Sequence, residues 1–258
     1  MFEPLKKQWV LFCYALSFFS RVPIPKSITF NAFPFYLGNV YLPLIGLLYA
    51  LISFTVYFIA QTVFDPTISI IFMLAAGLLF TGAFHEDGLA DICDGFGGGY
   101  DKTQRLKIMK DSQIGTYGAI GLILLFSLKI AVLASLALQE PLMFLGFLIC
   151  AAVLSRFSTL CLMQYSEYAR EDSSSKSTKS SHRLPLTYLI FASIFSLLTI
   201  IWMPLFWMPL IIAIIVASTL FFRIYFYRLI GGYTGDCLGF LQQVNELLIL
   251  LAFLAMIK

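Results

Sequence analysis

The sequence predicts an all-α protein that crosses a membrane several times, and its composition and segment lengths support this. Of the 258 residues, 60% are hydrophobic and only 12% are charged. The mean hydropathy is +0.88, and apolar segments of span length recur along the chain. A soluble domain is nearer half apolar and a quarter charged. We therefore expect one integral-membrane domain, residues 1–258, built as a helix bundle.

Seven apolar segments are long enough to cross a bilayer, whose hydrocarbon core takes roughly 20 helical residues. An earlier apolar stretch, 9–19, is too short to span, and we interpret it as an interfacial or re-entrant helix. The seven predicted spans cover residues 38–62, 66–87, 117–138, 141–164, 184–203, 206–228 and 236–257.

The lysines and arginines outside the spans lie in alternate connections, while the connections near Asp65, Glu140 and Pro204 carry none. Because basic connections stay in the cytoplasm, the end of the bundle that carries them should face the cytoplasm. The residues concerned are Lys6, Lys7, Arg21, Lys26, Lys102, Arg105, Lys107, Lys110, Arg170, Lys176, Lys179, Arg183, Arg223 and Arg228.

Composition disfavours several classes of protein. No dense stripe of Lys and Arg supports nucleic-acid binding. The five cysteines are odd in number and form no CxxC pair, which disfavours a disulfide framework. No internal repeat is visible, which counts against a transporter built from two related halves. The polar tract 172–181 is typical of a flexible cytoplasmic loop.

The most informative stretch for function is 84–95, Phe-His-Glu-Asp-Gly-Leu-Ala-Asp-Ile-Cys-Asp-Gly. In a helix, Asp87, Asp91 and Asp94 fall within an arc of about 60°, so one face presents three carboxylates. Like charges this close repel one another unless they share a cation, and carboxylate oxygens suit Mg²⁺ or Mn²⁺. The pattern predicts a metal-dependent site; the alternative is a simple acidic helix end.

Two further residues, His85 and Asp111, each have two alternative roles. His85 and Glu86 point away from the acidic face of such a helix. His85 is either a general base for an attacking hydroxyl or a packed, hydrogen-bonded histidine. Asp111 either adds a fourth carboxylate or forms a salt bridge with a neighbouring lysine.

Glycines and basic residues follow the acidic stretch in a pattern that suits a bound anion. Glycine lets backbone N–H groups approach a phosphate, and a helix N-terminus adds positive potential. Acids for a metal and bases for a phosphate in one loop predict a diphosphate held through Mg²⁺. The candidate phosphate and substrate contacts are Gly97–Gly99, Arg105, Lys110, Ser112 and Gly115.

Three charged residues fall inside predicted spans, where such residues pair or face a cavity. Glu246 is expected to pair with Lys129 or with Arg156. Alternatively, Arg156 lines a pocket for an anionic substrate. Just before the last span, Asp236 either caps the helix or completes the site formed by the acidic stretch.

The motif His85-x-Asp87-Gly-Leu-Ala-Asp91-x-x-Asp94-Gly95 is the most specific of several in the chain. The others are Arg21–Pro25, Pro43–Gly46, Met109–Ser112, Ile114–Gly118 and Gly232–Asp236. Together they resemble the cobalamin synthase (adenosylcobinamide-GDP ribazoletransferase) family, over nearly the whole chain and in the expected order. One departure is the Ser/Lys tract after Arg170, where the family has a glycine-containing stretch.

The resemblance implies an enzyme that joins adenosylcobinamide-GDP to α-ribazole, or to its 5′-phosphate, and releases GMP late in cobalamin biosynthesis. It implies Mg²⁺ dependence and a multi-pass protein of the bacterial cytoplasmic (inner) membrane, with the active site on the cytoplasmic side. Its partners would be these small molecules and the lipid bilayer. A homo-oligomer, or a complex with other cobalamin-assembly enzymes, is left open.

The resemblance also assigns roles to residues. A carboxylate or His85 would accept the proton of the attacking hydroxyl. Arg105 and Lys110 would contact phosphate. The residues expected to hold one or two Mg²⁺ ions are Asp87, Asp91, Asp94 and Asp111.

Two rival functions are weighed. A CDP-alcohol phosphotransferase also carries a run of Asp and Gly at the membrane surface, but its pattern D-G-x-x-A-R does not fit, because Ala90 is followed by Asp91. A transporter would use charges near the bilayer midplane, and the charges inside the predicted spans favour it. The main acidic cluster, however, lies at the end of a predicted span.

Overall fold

The computed structural model describes residues 3–170 and 182–257. These residues form ten α-helices and no strand, which confirms the all-α prediction. The Ser-rich tract 172–181, predicted to be a flexible loop, lies outside the described residues. The helices are α1 (Glu3–Phe19), α2 (Leu42–Ala60), α3 (Pro66–Thr81), α4 (Phe84–Gly98), α5 (Lys102–Ile108), α6 (Thr116–Gln139), α7 (Phe144–Tyr165), α8 (Leu186–Leu198), α9 (Met208–Ile230) and α10 (Gly235–Met256).

Five helical stretches of the described chain are long and apolar enough to cross a membrane, which confirms a multi-pass membrane protein. A sixth span is added if α3 and α4 count as one broken segment, so the number differs from the seven predicted. The five stretches are Phe35–Ala60, Thr116–Gln139, Phe144–Tyr165, Leu205–Ile230 and Gly235–Met256.

The second predicted span, 66–87, ends early. Helix α3 stops at Thr81, and the axes of α3 and α4 meet at 90°. Gly82 and Ala83 make this turn with φ angles of 68° and 56°, in the left-handed region that ends helices. Helix α4 therefore does not continue along the axis of α3, and the prediction of one uninterrupted span over residues 66–87 is wrong. Because of this turn, the helix that carries the acidic residues runs at a right angle to α3.

The fifth predicted span, 184–203, contains an α-helix of only 13 residues, Leu186–Leu198. Pro204 separates two 3₁₀ turns, Thr199–Trp202 and Leu205–Trp207, that lengthen the segment. The stretch nevertheless runs the length of α7. At one end the Leu184 N–H donates to Gln164 Oε1 at 3.0 Å, and at the other the rings of Trp207 and Phe147 lie 6.2 Å apart.

The N-terminal apolar stretch forms α1, a helix of 17 residues that is not among the spanning stretches. It packs against the 3₁₀ helix Phe35–Tyr41, which precedes α2, and buries Leu11, Cys13 and Tyr14 completely. All five cysteines are free thiols, as the sequence predicts.

Helix α10 lies at the centre of the bundle, in contact with α4, α6, α7 and α9. It carries Glu246, whose Oε1 accepts a hydrogen bond from Lys129 Nζ at 2.7 Å and whose Oε2 lies 3.5 Å from a guanidinium nitrogen of Arg156. Both predicted pairs are therefore present together. The Arg156 guanidinium also lies over the Tyr49 ring, 4.6 Å from its centroid.

This buried network continues from Glu246 to the start of α4. Lys129 Nζ also donates to Gln243 Oε1 at 2.7 Å, and the Gln243 amide donates to Glu86 Oε1 at 2.8 Å. All four of these side chains are buried. Together with Arg156 on α7, the network therefore contains two cations and two acids and connects α4, α6, α7 and α10.

We expect Glu246→Gln to lower the free energy of unfolding by about 3–5 kcal/mol, because it leaves two buried cations without their carboxylate. Thermal unfolding of the purified protein in detergent measures the effect. A matched control is Glu140→Gln at the end of α6, where the carboxylate joins no ion pair among the described residues. Equal unfolding midpoints for the two variants would contradict this role of Glu246.

Candidate active site

Helix α4 crosses the first turns of α10 at very short range. A Cβ atom on Gly88 would lie 2.9 Å from the Asp236 carbonyl oxygen, and one on Gly239 would lie 2.9 Å from the His85 carbonyl oxygen. Only glycine permits this approach of two backbones. The crossing brings Asp236 to the acidic face of α4.

The four predicted metal ligands line one cavity of about 470 Å³, which we call the acidic cavity. Its wall is formed by α4, the start of the connection after α5, and the side of α6. Two of the predicted phosphate contacts, Lys110 and Ser112, also line it. The polar side chains of this wall are Glu86, Asp87, Asp91, Asp94, Lys110, Asp111, Ser112 and Gln113.

Asp94 caps the N-terminus of α6 from the neighbouring helix. Its two oxygens accept hydrogen bonds from the Gly115 N–H at 2.7 Å and the Gly118 N–H at 2.8 Å. A Cβ on either glycine would lie 2.4 Å from an Asp94 oxygen, so the contact requires both glycines. The amide of Gly115, predicted to face substrate, thus binds Asp94. A substrate contact of Gly115 and a metal contact of Asp94 stay predictions.

Asp91 is a carboxylate in an electrostatically unfavourable environment. Half-burial and the nearby carboxylates of Asp236 and Asp87 raise the pKa of Asp91 to about 7, although Arg170 opposes the shift. The cluster therefore holds more negative charge than its protein neighbours neutralise. A cation bound among these oxygens would relieve that repulsion.

The carboxylates of the acidic cavity suit an Mg²⁺ ion that is held partly by water and by the substrate. Among residues 3–170 and 182–257, no three His, Cys, Asp or Glu side chains stand ready to hold a metal ion. Mg²⁺ is commonly held by one or two carboxylates, with waters and substrate phosphates completing its shell. The exposed Asp87 and the half-buried Asp91 offer such oxygens on one wall of the acidic cavity. The larger ligand set that includes Asp94 and Asp111 stays a prediction.

A second cavity of about 310 Å³, which we call the aromatic cavity, borders α4 near its start. Asp87 lines both cavities. The aromatic cavity has mostly apolar walls with a few polar groups. Its rings are Phe18, Phe19, Phe84, Tyr168 and Tyr233, and its polar side chains are His85, Asp87, Thr159, Arg170 and Asp236.

Asp236 belongs to this site and does not cap α10. The N-cap is Thr234, whose hydroxyl accepts from the Cys237 N–H at 3.4 Å. Asp236 lies in the first turn and accepts a hydrogen bond from Arg170 at 2.7 Å. Sequence reasoning missed Arg170 as a site residue. The feature of the sequence that could have indicated Arg170 is its position as the last basic residue before the Ser-rich tract.

A short backbone bridge positions Arg170. The Tyr233 N–H donates to the Glu167 carbonyl at 2.9 Å, and the Ala169 N–H donates to the Tyr233 carbonyl at 2.8 Å. A Cβ on Gly232 would lie 2.3 Å from the Glu167 carbonyl oxygen, so the bridge requires glycine there. The segment after α7 is thereby fastened to the turn before α10.

His85 is buried and lines the aromatic cavity, and its Nδ1 has no hydrogen-bond partner among the described residues. Burial, reinforced by the positive charges of Arg156 and Lys129, lowers the pKa of His85 well below its usual range. The imidazole is therefore neutral at pH 7. It can accept a proton in principle, so both predicted roles remain.

Two predicted substrate contacts lie away from the cavities. Arg105 donates to the Leu229 carbonyl at 3.2 Å and so ties α5 to the end of α9. Arg156 is buried in the network around Glu246. Neither residue lines the acidic or the aromatic cavity. Their contact with substrate stays a prediction.

Comparison with known proteins identifies similar chains. The family model of cobalamin-5-phosphate synthase matches residues 11–254. An adenosylcobinamide-GDP ribazoletransferase of Shewanella woodyi is 42% identical over 253 residues, covering 96% of this chain and 98% of the relative. A protein of the same name from Vibrio cholerae is 39% identical over 258 residues, covering 98% and 97%. No solved structure matches the chain significantly.

We expect Asp94→Asn to lower the free energy of unfolding by about 1–3 kcal/mol, because an amide can present only one oxygen to the two N–H groups of α6. Thermal unfolding in detergent with EDTA measures this without any contribution from bound metal. The control is Asp101→Asn, at the N-cap of α5, where asparagine caps as well as aspartate. An unfolding midpoint for Asp94→Asn equal to that of the control would show that the cap is dispensable.

Proposed function

This chain belongs to the cobalamin-5-phosphate synthase family, and we infer that it is an adenosylcobinamide-GDP ribazoletransferase of cobalamin biosynthesis. The match over residues 11–254, at 39–42% identity to relatives that carry this activity in their names, is the observation that supports the assignment most. The acidic cavity and the adjoining aromatic cavity supply a site of the required kind.

The reaction replaces a phosphoanhydride bond of the donor with a phosphate ester bond to the acceptor. A ribose hydroxyl oxygen of α-ribazole, other than the 5′-oxygen that carries the phosphate in α-ribazole 5′-phosphate, forms a bond to the phosphorus that carries the cobinamide arm. The bond from that phosphorus to the bridging oxygen breaks, and GMP leaves with the electron pair. The hydroxyl proton passes to a base of the enzyme. Catalysis of such transfers consists mainly of positioning and charge neutralisation.

The acidic cavity is the proposed site of the diphosphate. A diphosphate would be repelled by the carboxylates of Asp87, Asp91 and Asp111 alone, so a cation must lie between them. Bound to Asp87 and Asp91, Mg²⁺ would neutralise the diphosphate and the charge that develops on departing GMP. Lys110 and Ser112, on the same wall, would contact the phosphate oxygens. Each of these contacts suits the donor chemistry of the residue named.

The proposed proton acceptor lies on the shared wall of the two cavities. Asp87 borders both cavities and His85 borders the aromatic cavity. Either group can accept a proton from a hydroxyl that approaches from the aromatic side, His85 through a ring nitrogen and Asp87 through a carboxylate oxygen. Asp87 also lies beside the diphosphate, where it would keep the acceptor hydroxyl and the phosphorus close together.

We further propose that the site opens to the cytoplasm of a bacterial cell. Lys110, in the connection after α5, lines the acidic cavity, and Arg170 lines the aromatic cavity. Basic connections remain cytoplasmic. This face also suits substrates that are soluble nucleotides.

The structure offers little support for a transporter. The three charges inside spanning helices, Lys129, Arg156 and Glu246, are buried against one another. A transport path would instead place them around a water-filled passage. The charged groups that border the acidic and aromatic cavities lie on α4, in the connections between helices or in the first turn of α10.

Purified protein in liposomes should release GMP from adenosylcobinamide-GDP in a single turnover when α-ribazole and Mg²⁺ are present, and EDTA should abolish the release. We expect Asp87→Asn and Asp91→Asn to slow it about 100- to 1,000-fold, through loss of charge stabilisation at the phosphates. Asp101→Asn, in the short connection that follows α4 and outside both cavities, should retain wild-type rate.

Three outcomes would contradict parts of the proposal. The absence of GMP release by the wild type would overturn the activity itself. Full release in EDTA would overturn the role of the metal. Wild-type rates in both aspartate variants would remove Asp87 and Asp91 from the site.

A further inference from the structure

We propose that the aromatic cavity binds the acceptor nucleoside, with its uncharged two-ring base among the aromatic side chains and the attacking ribose hydroxyl directed at Asp87. The proposal rests on the proposed function, which supplies two substrates but does not say where each binds. It assigns the acceptor to a cavity between α1, α4 and α10 that is separate from the acidic cavity.

The walls of the cavity suit a flat apolar ring. Phe84 makes edge-to-face contacts with Phe18 and Phe19, with ring centroids 5.4 Å and 5.9 Å apart. Tyr168 and Tyr233 form a second aromatic pair, 5.5 Å apart and nearly perpendicular. Fixed aromatic clusters of this kind present both ring faces and ring edges to a ligand. A benzimidazole base without charge would be bound here by stacking and by burial of its methyl groups.

The size of the cavity favours the smaller substrate. Its volume of about 310 Å³ lies at the lower end of the ~300–1,000 Å³ typical of small-molecule sites. A nucleoside fills such a space, whereas a corrin ring with its side arms is much larger. The donor must therefore keep its corrinoid part outside this cavity.

The polar groups of the cavity match the remainder of a nucleoside. Arg170 is held by Asp236 at 2.7 Å, and the Arg170 Nε is buried without a partner among the described residues. Together with His85, these groups offer donors and acceptors for ribose hydroxyls. The Arg170 guanidinium would also tolerate a phosphate on the acceptor, although the acidic partner limits that attraction.

Asp87 lies where the two bound substrates would meet. One side of Asp87 borders the aromatic cavity and the other borders the acidic cavity. An acceptor bound among the rings and a diphosphate bound among the carboxylates would meet at this residue. Holding two reactants on either side of one side chain supplies the proximity that such a transfer requires.

The acidic cavity is a poor alternative site for the acceptor base. Its polar wall is dominated by the carboxylates of Asp87, Asp91, Asp94 and Asp111. An uncharged methylated ring gains little from carboxylates and would displace their water. The anionic donor, bridged by a cation, makes better use of that wall.

The test measures both substrates on one variant. We expect Phe18→Ala to raise the KM for α-ribazole about tenfold, the effect of losing one aromatic contact with a base, while the KM for adenosylcobinamide-GDP stays unchanged. The matched control is Phe206→Ala, whose ring is 79% exposed and lies outside the cavity; both KM values should match the wild type. A rise in the KM for the donor alone would overturn the assignment and place the guanine base there.

A second variant distinguishes a change in the size of the cavity from general damage to the fold. Leu238 lines the cavity, and Leu238→Ala would enlarge it. We expect kcat/KM for a riboside of the larger naphthimidazole base to rise relative to kcat/KM for α-ribazole. An unchanged ratio would overturn the proposal, because general damage to the fold lowers both values alike.

Direct binding separates this inference from the activity. Calorimetric titration of α-ribazole into the wild type and into Phe18→Ala, without donor and without Mg²⁺, reports on the cavity alone. Weaker binding by the variant supports the acceptor site even if the wild type releases no GMP. Equal binding by the two proteins overturns the acceptor site even if the enzyme is fully active.

Discussion

The contact of Glu246 with Lys129 and Arg156 is the interaction on which the arrangement of the bundle depends. Charges cannot be left unpaired among apolar helices, so this carboxylate fixes α6 and α7 against α10. The network then reaches Glu86 through Gln243, and Glu86 is the chain neighbour of Asp87. Neutralisation in the middle of the bundle thus positions the helix that carries the acidic cluster at its end.

The carboxylate in the middle of the bundle and the carboxylates of α4 differ in the charges that surround them. Glu246 is surrounded by cations, whereas Asp91 has carboxylates as close neighbours and Arg170 as its main positive one. A fold selected for stability alone would pair every acid in this way. The excess of negative charge around Asp87 and Asp91 is therefore the feature on which we base the proposed site for a cation and the phosphates that accompany it.

Much of this was predictable from the sequence, because hydropathy, charge placement and motif spacing are local properties. The all-α bundle, the pairing of Glu246, and the shared cavity of Asp87, Asp91, Asp94 and Asp111 follow from such patterns. The turn at Gly82 and Ala83 was missed, since apolar residues continue through it. Arg170 and the capping role of Asp94 were missed because both depend on contacts between residues far apart in the chain.

The backbone bridge between Tyr233 and the segment 167–169 has a consequence for protein engineering. Because the bridge ends one residue before Arg170, the backbone that leads to the guanidinium is held by hydrogen bonds that precede residue 171. A chain altered only in the tract 172–181 would still contain every donor and acceptor of this bridge.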